Sequence, residues 1–416
     1  MNEEYSEGGV CLALWKFLTV FLVFAALLFE TKPVYTLAYT FMVLFFFSRR
    51  LQQSCADQLK VVRNASTTHL FPDDQATIEI RLENPSWLPF AWVSGVDGKP
   101  TALDGGKRDK WVTALPPRGM ATASYQITAA NRGVYVLGPL DISVGDFFGI
   151  TTQSYRVEDY QTVVVYPTVC TLTDLALPSR LPFGHARAQQ KIYPDPSRLG
   201  GVRPYEPGDP LRSIHWKATA RERNLQVKQF EHTVTITTMI LLNLDERDYD
   251  VHSFYVDTEL AITTAASLAA HIIGLGEECG LASNGVFTRH AVDELDDSYR
   301  HDGVLRISPR KGYSHLMSIF TALAGVECQS SHGFSELIDD LGRHYSFGSL
   351  FLLVVPVDTG AIVDKALNLT KLGYQVQIFV VGTKVIHRHL LQQPAHASLQ
   401  MFQVKQDTKL NFVQPR

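Results

Sequence analysis

The sequence predicts two N-terminal transmembrane helices, then an all-β sandwich-like domain, then an α/β domain with a doubly wound, mostly parallel sheet. Three observations support this fold class. Two apolar runs open the chain, short runs of alternating polarity follow them, and continuous apolar runs separated by helical patterns fill the second half. A chain of 416 residues with 45% hydrophobic content is long enough to bury two ordinary cores.

Each of the two apolar runs is predicted to cross a membrane. Residues 10–29 contain a single charged side chain, Lys16, and match the ~20 residues that a helix needs to cross the hydrocarbon core. Residues 33–48 carry no charge, and the side chains of Lys32 and Arg49 can extend from this shorter run to the interfaces. We therefore expect two transmembrane helices.

Basic residues predict the topology. Arg49 and Arg50 follow the second run, whereas the only charged residues between the runs are Glu30 and Lys32. Because cytoplasmic loops carry an excess of Lys and Arg, we expect a multi-pass plasma-membrane protein whose residues 1–9 and main bulk are cytoplasmic. A cleaved signal peptide is the alternative. Signal peptides begin with a basic leader, however, whereas residues 1–9 contain three glutamates.

Residues 55–168 show the alternation that is typical of half-buried strands. In QATIEIRLEN, the apolar residues at positions 78, 80 and 82 alternate with polar ones, and RGVYVLG, LDISVG and TVVVYP are further short β-prone runs. Several such runs bounded by Gly, Pro or Asn predict an antiparallel sandwich. Trp87, Trp92 and Trp111 are expected to fill its core, since aromatic side chains bury a large apolar area.

Residues 235–391 combine strand and helix patterns. TITTMILLNL, GSLFLLVVP and YQVQIFVVG are continuous apolar runs of strand length, and residues 258–273 and 361–372 are helical in pattern. Apolar strands separated by helices predict a parallel sheet covered on both faces. Residues 392–416 are polar and show no periodicity, which predicts a loose C-terminal tail.

A linker rich in Pro, Arg and Gly, residues 169–234, contains the most informative segment of the chain, RPYEPGDPLRSIHWKATAR. The Pro-Gly-Asp-Pro stretch within it must form a turn, since Pro fixes φ and Gly permits positive φ. The candidate signature residues, for interaction or for a structural network, are Arg203, Tyr205, Gly208, Asp209, Arg212, His215, Trp216, Lys217 and Arg221.

Two interpretations of these residues differ in their consequences. In the first, Asp209 pairs with Arg212 or Arg221 in a buried network, and Trp216 fills the seam against the next domain. In the second, Asp209 and His215 form a general-base pair in a polar active site. We favour the structural network, because no Ser or Cys nucleophile stands in a recognisable elbow.

The order of residue types in this segment resembles the signature of a bacterial family called domain of unknown function 58. The upstream stretch NRGVYVLGPLDISVGDFFGI is similar to a second pattern of that family, and the C-terminal α/β region looks like a von Willebrand factor A domain. The resemblance implies a membrane-anchored, von Willebrand factor A-like protein. It also implies two kinds of partner, a MoxR-type AAA+ ATPase and a transglutaminase-like membrane protein.

The resemblance also locates a possible metal site. In metal-binding von Willebrand factor A domains, the first strand ends in Asp-x-Ser-x-Ser, whose oxygens bind a hard divalent cation. Here Asp245 begins the sequence Asp-Glu-Arg-Asp-Tyr, so both serines are replaced and Arg247 brings a positive charge to the cation position. Asp358 is similar to another metal-loop element. Asp245 and Asp358 are thus degenerate positions, and we expect no metal ion or other cofactor.

The motifs and the net charge of the chain exclude some classes of function. Neither GxxxxGK[ST] nor GxGxxG occurs, and a net charge of −4 does not indicate a nucleic-acid surface. We expect a non-enzymatic, membrane-anchored scaffold or adaptor that recruits partner proteins within a MoxR-type AAA+ ATPase system. The alternatives are a metal-dependent protein-binding module and a hydrolase that uses the Asp209 and His215 region.

Overall fold

The computed structural model describes residues 17–21, 23–24, 32–43, 58–103, 110–145, 152–173, 194–232, 237–287, 300–301, 304–329, 333–342, 344–345, 348–357, 359–381, 399–406 and 410–413. The chain divides into two compact units. The first comprises residues 1–168, 286–299 and 317–327, and the second comprises residues 169–285, 300–316 and 328–416.

Strands dominate the described residues. In chain order they are β1 (Lys60–Ala65), β2 (His69–Leu70), β3 (Gln75–Glu83), β4 (Phe90–Asp97), β5 (Lys110–Leu115), β6 (Met120–Thr128), β7 (Gly133–Leu137), β8 (Leu140–Gly145), β9 (Thr152–Val157), β10 (Gln161–Val165), β11 (Leu172–Thr173), β12 (Pro194–Pro204), β13 (Gln226–His232), β14 (Thr237–Leu242), β15 (Glu278–Ser283), β16 (Val286–Phe287), β17 (Arg300–His301), β18 (Val304–Arg310), β19 (Val326–Glu327), β20 (Leu350–Val355), β21 (Gln375–Val381), β22 (Gln400–Gln406) and β23 (Leu410–Val413).

Among the residues from 194 onward that the structure describes, the α-helices are α1 (Trp216–Glu222), α2 (Phe254–Gly274), α3 (Tyr313–Gly325), α4 (Phe334–Leu341) and α5 (Gly360–Lys371). Two short 3-10 helices, Leu211–Ser213 and Glu246–Asp248, precede α1 and α2. Residues 17–21, 23–24 and 32–43 are also helical.

In the first unit, residues 60–165 form three small sheets around one apolar core, with strand orders β1-β3-β6, β2-β10-β7 and β5-β4-β8-β9, and β16 and β19 form a further two-stranded sheet. The alternation predicted for QATIEIRLEN is confirmed in β3, where Ile78, Ile80 and Leu82 are fully buried. Division into three sheets corrects the single sandwich that the sequence predicted. Short strands with frequent turns do not specify which strands pair, so the sheet number could not be obtained from periodicity.

The three tryptophans of this unit differ from one another. Trp92 and Trp111 are half-buried and lie over glycines of neighbouring strands, since a Cβ added at Gly145 or Gly95 would come within 2.1 Å of their rings. Trp87 is 62% exposed, so the prediction that it fills the core is wrong. It follows Ser86 in the loop between β3 and β4.

A buried ion pair joins strands of the three sheets formed by residues 60–165. Arg63 on β1 bonds to Asp97 on β4 through two nitrogens, with Nη2–Oδ1 and Nε–Oδ2 distances of 2.5 and 3.0 Å. The two side chains are only 1% and 2% exposed. The Tyr125 hydroxyl on β6 donates to Asp97 Oδ2 at 2.7 Å, and Arg63 Nη1 donates to the carbonyl oxygens of Asp159 and Leu137.

The electrostatics of this pair follow from its burial. Loss of hydration raises the pKa of the Asp97 carboxyl, while the hydrogen bonds from Tyr125 and Arg63 act in the opposite direction. Arg63 and Asp97 can therefore both stay charged in the buried interior only because each neutralises the other and neutral groups, such as the Tyr125 hydroxyl, complete their hydrogen bonds.

The second unit contains a nine-stranded mixed sheet with the order β11-β23-β22-β21-β20-β14-β15-β18-β17. Strands β22, β21, β20, β14 and β15 are parallel to their neighbours in this series. The apolar runs predicted as strands form β14, β20 and β21, which are almost entirely buried. Helix α2 packs against β14 and β15, and α4 and α5 contribute side chains to the core.

The predicted doubly wound, mostly parallel von Willebrand factor A-like domain is wrong, because the chain is β-rich and its largest sheet is mixed. Strand β18 runs antiparallel to both β15 and β17, and β23 runs antiparallel to β22. The C-terminal stretch that was predicted to be a loose tail contributes β22 and β23 to this sheet. An apolar run has the same pattern in either strand direction, so the sequence could not distinguish a crossover from an antiparallel return.

The predictions for the N-terminus also need correction. None of the helices in the described part of the chain combines the length and the apolar character that a bilayer span requires. The predicted transmembrane helices at 10–29 and 33–48, and the multi-pass plasma-membrane location derived from them, are therefore contradicted; the rest of both runs lies outside the described residues.

Removing one partner of the buried ion pair should be costly. We expect Asp97→Ala to lower the free energy of unfolding by ~3–5 kcal/mol, because it leaves the Arg63 guanidinium buried without a counter-charge. The matched control is Asp141→Ala, which removes the partner of Arg156 from a pair whose side chains are 55% and 61% exposed. That variant should remain within about 0.5 kcal/mol of the parent. Urea denaturation measures both values, and equal midpoints for the two variants would contradict the assignment.

Candidate functional site

The signature segment is inserted between two paired strands of the second unit. Strands β12 and β13 form a two-stranded antiparallel sheet, and we call the connecting residues 205–225 the signature insert. Three backbone contacts close its base. Ile214 forms a β-bridge with Val227, the His215 N–H donates to the Gln226 carbonyl at 2.8 Å, and the Tyr205 N–H donates to the Leu225 carbonyl at 2.9 Å. Ile214 and Val227 are buried, so this base is the apolar anchor of the insert.

The insert begins with a turn that depends on Gly208 and Asp209. Gly208 has a φ of 114°, which L side chains rarely adopt. Asp209 Oδ1 accepts a hydrogen bond from Arg203 Nη2 at 2.7 Å, and its Oδ2 accepts one from the Glu206 N–H at 3.0 Å. The hydrogen bond from Arg203, followed by that from Glu206, lowers the pKa of Asp209. The carboxylate therefore holds the turn closed against the end of β12.

Helix α1 has a cap at each end. His215 precedes it, and its Nδ1 accepts a hydrogen bond from the Ala218 N–H at 3.0 Å, which satisfies one of the free amides of the first turn. Arg223 ends the helix with a φ of 56° in the left-handed region. Both caps are local, so they position a helix of only seven residues at a fixed place on the hairpin.

One side of α1 is held against β13 by polar contacts. Thr219 Oγ1 accepts a hydrogen bond from the Gln226 N–H at 3.0 Å, and Glu222 Oε2 accepts one from Gln226 Nε2 at 2.7 Å. The positions Trp216, Lys217, Ala220 and Arg221 remain exposed, and their spacing of i, i+1, i+4 and i+5 puts them on the opposite side. The helix thus has an inner polar side and an outer side available to solvent.

Two large apolar side chains of the insert are exposed. Trp216 is 69% exposed, and Leu211, in the preceding 3-10 helix, is 70% exposed. Their exposed neighbours are mostly basic. We define the outer face of the insert as Leu211, Arg212, Trp216, Lys217, Ala220, Arg221 and Arg223.

The structure corrects the buried network predicted for this segment. Asp209 pairs with Arg203, whereas Arg212 and Arg221 are exposed and form no ion pair with any described residue. Trp216 does not fill a seam, because it occupies the first position of α1 on the side turned away from β13. The buried apolar residues at the base of the insert are the smaller Ile214 and Val227.

The predicted active-site pair is not assembled either. Asp209 accepts from Arg203 and Glu206, and His215 Nδ1 accepts from a backbone amide, so no hydrogen bond joins the two side chains. Tyr205 and Gly208 belong to the turn, where their contribution is conformational. In the structure, these residues hold the backbone of the insert in a fixed conformation that presents an exposed surface.

Sequence reasoning missed Leu211 and Arg223. Leu211 lies between a turn and a buried Ile, where an apolar residue would ordinarily be assigned to the core. No local signal marks it as exposed. For Arg223, a signal was available, since a helix that reverses into a strand within a few residues usually ends with one residue in the left-handed region.

The second candidate site follows β14. Asp245 is buried, and both of its oxygens are engaged by Arg247, with Nε–Oδ1 and Nη2–Oδ2 distances of 2.9 and 2.6 Å. Cys328 Sγ donates to the Leu244 carbonyl at 3.2 Å, and burial raises the pKa of this thiol to about 12. The cysteine is therefore a thiol at neutral pH and a poor nucleophile.

The remaining metal candidate, Asp358, lies outside the described residues. Within the part of the chain that the structure describes, no three His, Cys, Asp or Glu side chains form a group suited to a metal ion. At Asp245 the place of a counter-ion is taken by the guanidinium of Arg247, whose pKa is raised by the hydrogen bond to that carboxylate.

One protein-family model matches the part of the chain that contains the signature insert. Residues 201–355 match the model of a family described as "Protein of unknown function DUF58". The match begins within β12, includes the whole insert and ends with β20. The chain is also 23% identical over 317 residues to "Uncharacterized protein YeaD" of Bacillus subtilis (strain 168), an alignment that covers 75% of this chain and 72% of that protein.

Solved structures resemble the chain only in part. The CARDB domain of the PF1109 protein from Pyrococcus furiosus has 14% identity and a TM-score of 0.19, and the match covers 26% of this chain and 91% of that domain. The cupredoxin domain of amoB from Nitrosocaldus yellowstonii has 11% identity and a TM-score of 0.18, with coverage of 26% and 86%. Scores this low carry no functional argument.

The exposure of Trp216 predicts that folding does not depend on it. We expect Trp216→Ala to change the free energy of unfolding by no more than about 0.5 kcal/mol, since little apolar area is lost from the core. Ile214→Ala, two residues earlier and buried, should cost ~2–5 kcal/mol. Denaturant midpoints of the two variants test this difference. A loss of stability in Trp216→Ala as large as that in Ile214→Ala would mean that the indole is a core residue.

The Arg247 contact predicts the response to divalent cations. Because both Asp245 oxygens already accept from the guanidinium, millimolar Mg²⁺ or Mn²⁺ should leave the melting temperature of the full chain unchanged. A ligand that binds only the folded state raises apparent stability. A saturable increase that disappears in Asp245→Ala would show a working metal site at this position.

Proposed function

We propose that the protein is a non-enzymatic scaffold or adaptor that recruits a partner protein through the outer face of the signature insert. The proposal is carried by the exposure of Trp216 and Leu211 in a segment whose basic side chains form no ion pair with any described residue. Trp and Arg are the residues that most often dominate the binding energy of protein interfaces. A large exposed apolar side chain is otherwise costly to solubility, so a fixed pair of them on one small element favours a binding role.

The architecture of the insert supports the same role. The polar inner side, the two caps and the apolar base already hold α1 in place, and none of these contacts uses Trp216 or Leu211. The two side chains are therefore presented on a preformed support, which reduces the entropy lost when a partner binds.

The family resemblance supports a particular kind of partner. The matched segment contains the signature through which the chain resembles domain of unknown function 58, and that resemblance implies association with a MoxR-type AAA+ ATPase and with transglutaminase-like membrane proteins. We propose the ATPase as the first partner to test.

The two alternative functions are less well supported. A hydrolase would need Asp209 to orient His215, but each side chain is engaged in holding the local backbone. A metal-dependent binding module would need Asp245 to release Arg247 before a cation could bind. The adaptor requires no rearrangement of either group.

The binding role can be tested with a purified MoxR-type ATPase from the source organism and the full chain. We expect Trp216→Ala and Leu211→Ala each to weaken binding at least about tenfold, since loss of a hot-spot side chain typically costs 2 kcal/mol or more. Binding is measured by biolayer interferometry with immobilised chain.

The matched control is Tyr313→Ala, which removes another aromatic side chain that is 70% exposed, at the start of α3. It should bind like the parent. Equal affinity of the parent and the two insert variants would contradict a role for the outer face, and hydrolytic activity that is lost in His215→Asn would favour the enzyme alternative.

A further inference from the structure

The outer face carries a local excess of positive charge. Arg212, Lys217, Arg221 and Arg223 are all exposed, and none forms an ion pair with a residue that the structure describes. The insert contains three acidic residues: Asp209 is bound by Arg203, Glu222 accepts a hydrogen bond from the neutral amide of Gln226 on the inner side of α1, and Glu206 is exposed at the turn. The four basic residues therefore outnumber the acidic residues of the insert by one, and the outer face contains none of those acidic residues, although the whole chain has a net charge of −4.

The arrangement of these charges is unfavourable in the free protein. Lys217 and Arg221 are four residues apart on α1, so their charges lie next to one another on the exposed side of the helix. Like charges at this spacing destabilise a helix, and the repulsion is relieved when an anionic group binds between or beside them. Trp216 and Ala220 share this side, and the small Ala220 leaves space beside the indole.

We infer that the outer face binds an acidic segment of a partner protein that inserts an apolar side chain next to Trp216 and Leu211. This inference rests on the proposed adaptor function and specifies the chemistry of its partner. Carboxylates of the segment would pair with Lys217, Arg221 and Arg212, and the apolar side chain would cover the exposed indole. Charge complementarity selects the partner and accelerates encounter, while the apolar contact provides most of the affinity.

A nucleic acid could also use basic and aromatic residues, but the observations favour a protein. A nucleic-acid surface usually belongs to a basic domain, whereas this chain has a sequence pI of about 6.4. Leu211, unlike an aromatic ring, offers no flat surface on which a base could stack. An acidic protein segment accounts for the basic and the apolar residues of the face together.

Charge reversal distinguishes this inference from the proposed function itself. The double variant Lys217→Glu, Arg221→Glu should weaken binding of the purified ATPase by the full chain about thirtyfold or more. The neutral double variant Lys217→Gln, Arg221→Gln should lose less, about threefold to tenfold. The affinity of the parent should fall as NaCl is raised from about 50 to 500 mM, because exposed charge pairs are screened by salt.

The matched control reverses two exposed basic residues outside the insert, Arg310→Glu and Lys311→Glu, and should retain parental affinity. If Trp216→Ala loses binding but charge reversal and salt have no effect, the partner segment is not acidic, and this inference fails while the adaptor role stands. If neither Trp216→Ala nor charge reversal affects binding, or if the ATPase does not bind, the proposed function is wrong, and the inference that rests on it is wrong as well. Tighter binding of a single-stranded 20-nucleotide DNA than of the ATPase, lost on charge reversal, would assign the face to nucleic acid and overturn the inference.

Discussion

The buried contact between Arg63 and Asp97 is the interaction on which the first unit depends. Transfer of two charged groups out of water is favourable only when their remaining donors and acceptors are also satisfied. Here that requirement is met by the Tyr125 hydroxyl and by the carbonyl oxygens of Leu137 and Asp159. Tyr125 and Leu137 come from different sheets and Asp159 from the loop between β9 and β10, so the pair is stable only when the three sheets have their final arrangement. The apolar core supplies the driving force of folding, while this pair restricts the arrangement that the core can adopt.

In the signature insert, the residues that stabilise its fold are different from the residues that are exposed to solvent. A helix of seven residues is too short to be stable alone. It persists because His215 caps its start, Gln226 binds its inner side and Ile214 anchors its base. Since these contacts are sufficient, the outer residues are not required for folding and can vary with the needs of binding. Arg203 and Asp209 support the turn in the same way. Theirs is the only charged pair described within the insert and the adjoining end of β12.

Much of the local structure could be predicted from the sequence, but little of what decides function could. Alternation in β3 and the apolar runs of β14, β20 and β21 predicted those strands correctly, because burial periodicity is set locally. Strand direction is not encoded in that periodicity, so the mixed sheet was not foreseen. The apolar content of residues 10–29 and 33–48 predicted spanning helices, whereas no helix among the described residues is long and apolar enough to cross a bilayer. At the site, the identities of the candidate residues were informative, whereas the pairing of Asp209 and the outward direction of Trp216 depend on where α1 begins relative to β13.

The closed base of the insert has a consequence for the order of folding. Its defining contacts join residues between Arg203 and Val227, which are near neighbours in the chain. In the nine-stranded sheet, by contrast, Leu172 on β11 pairs with Leu410 on β23. Because closure of a short loop loses less entropy than closure of a long one, contacts of low sequence separation form earlier. We therefore expect the hairpin with its exposed Trp216 to fold on the growing polypeptide before the last strands of the nine-stranded sheet have been synthesised. Recognition by a partner could then begin during synthesis.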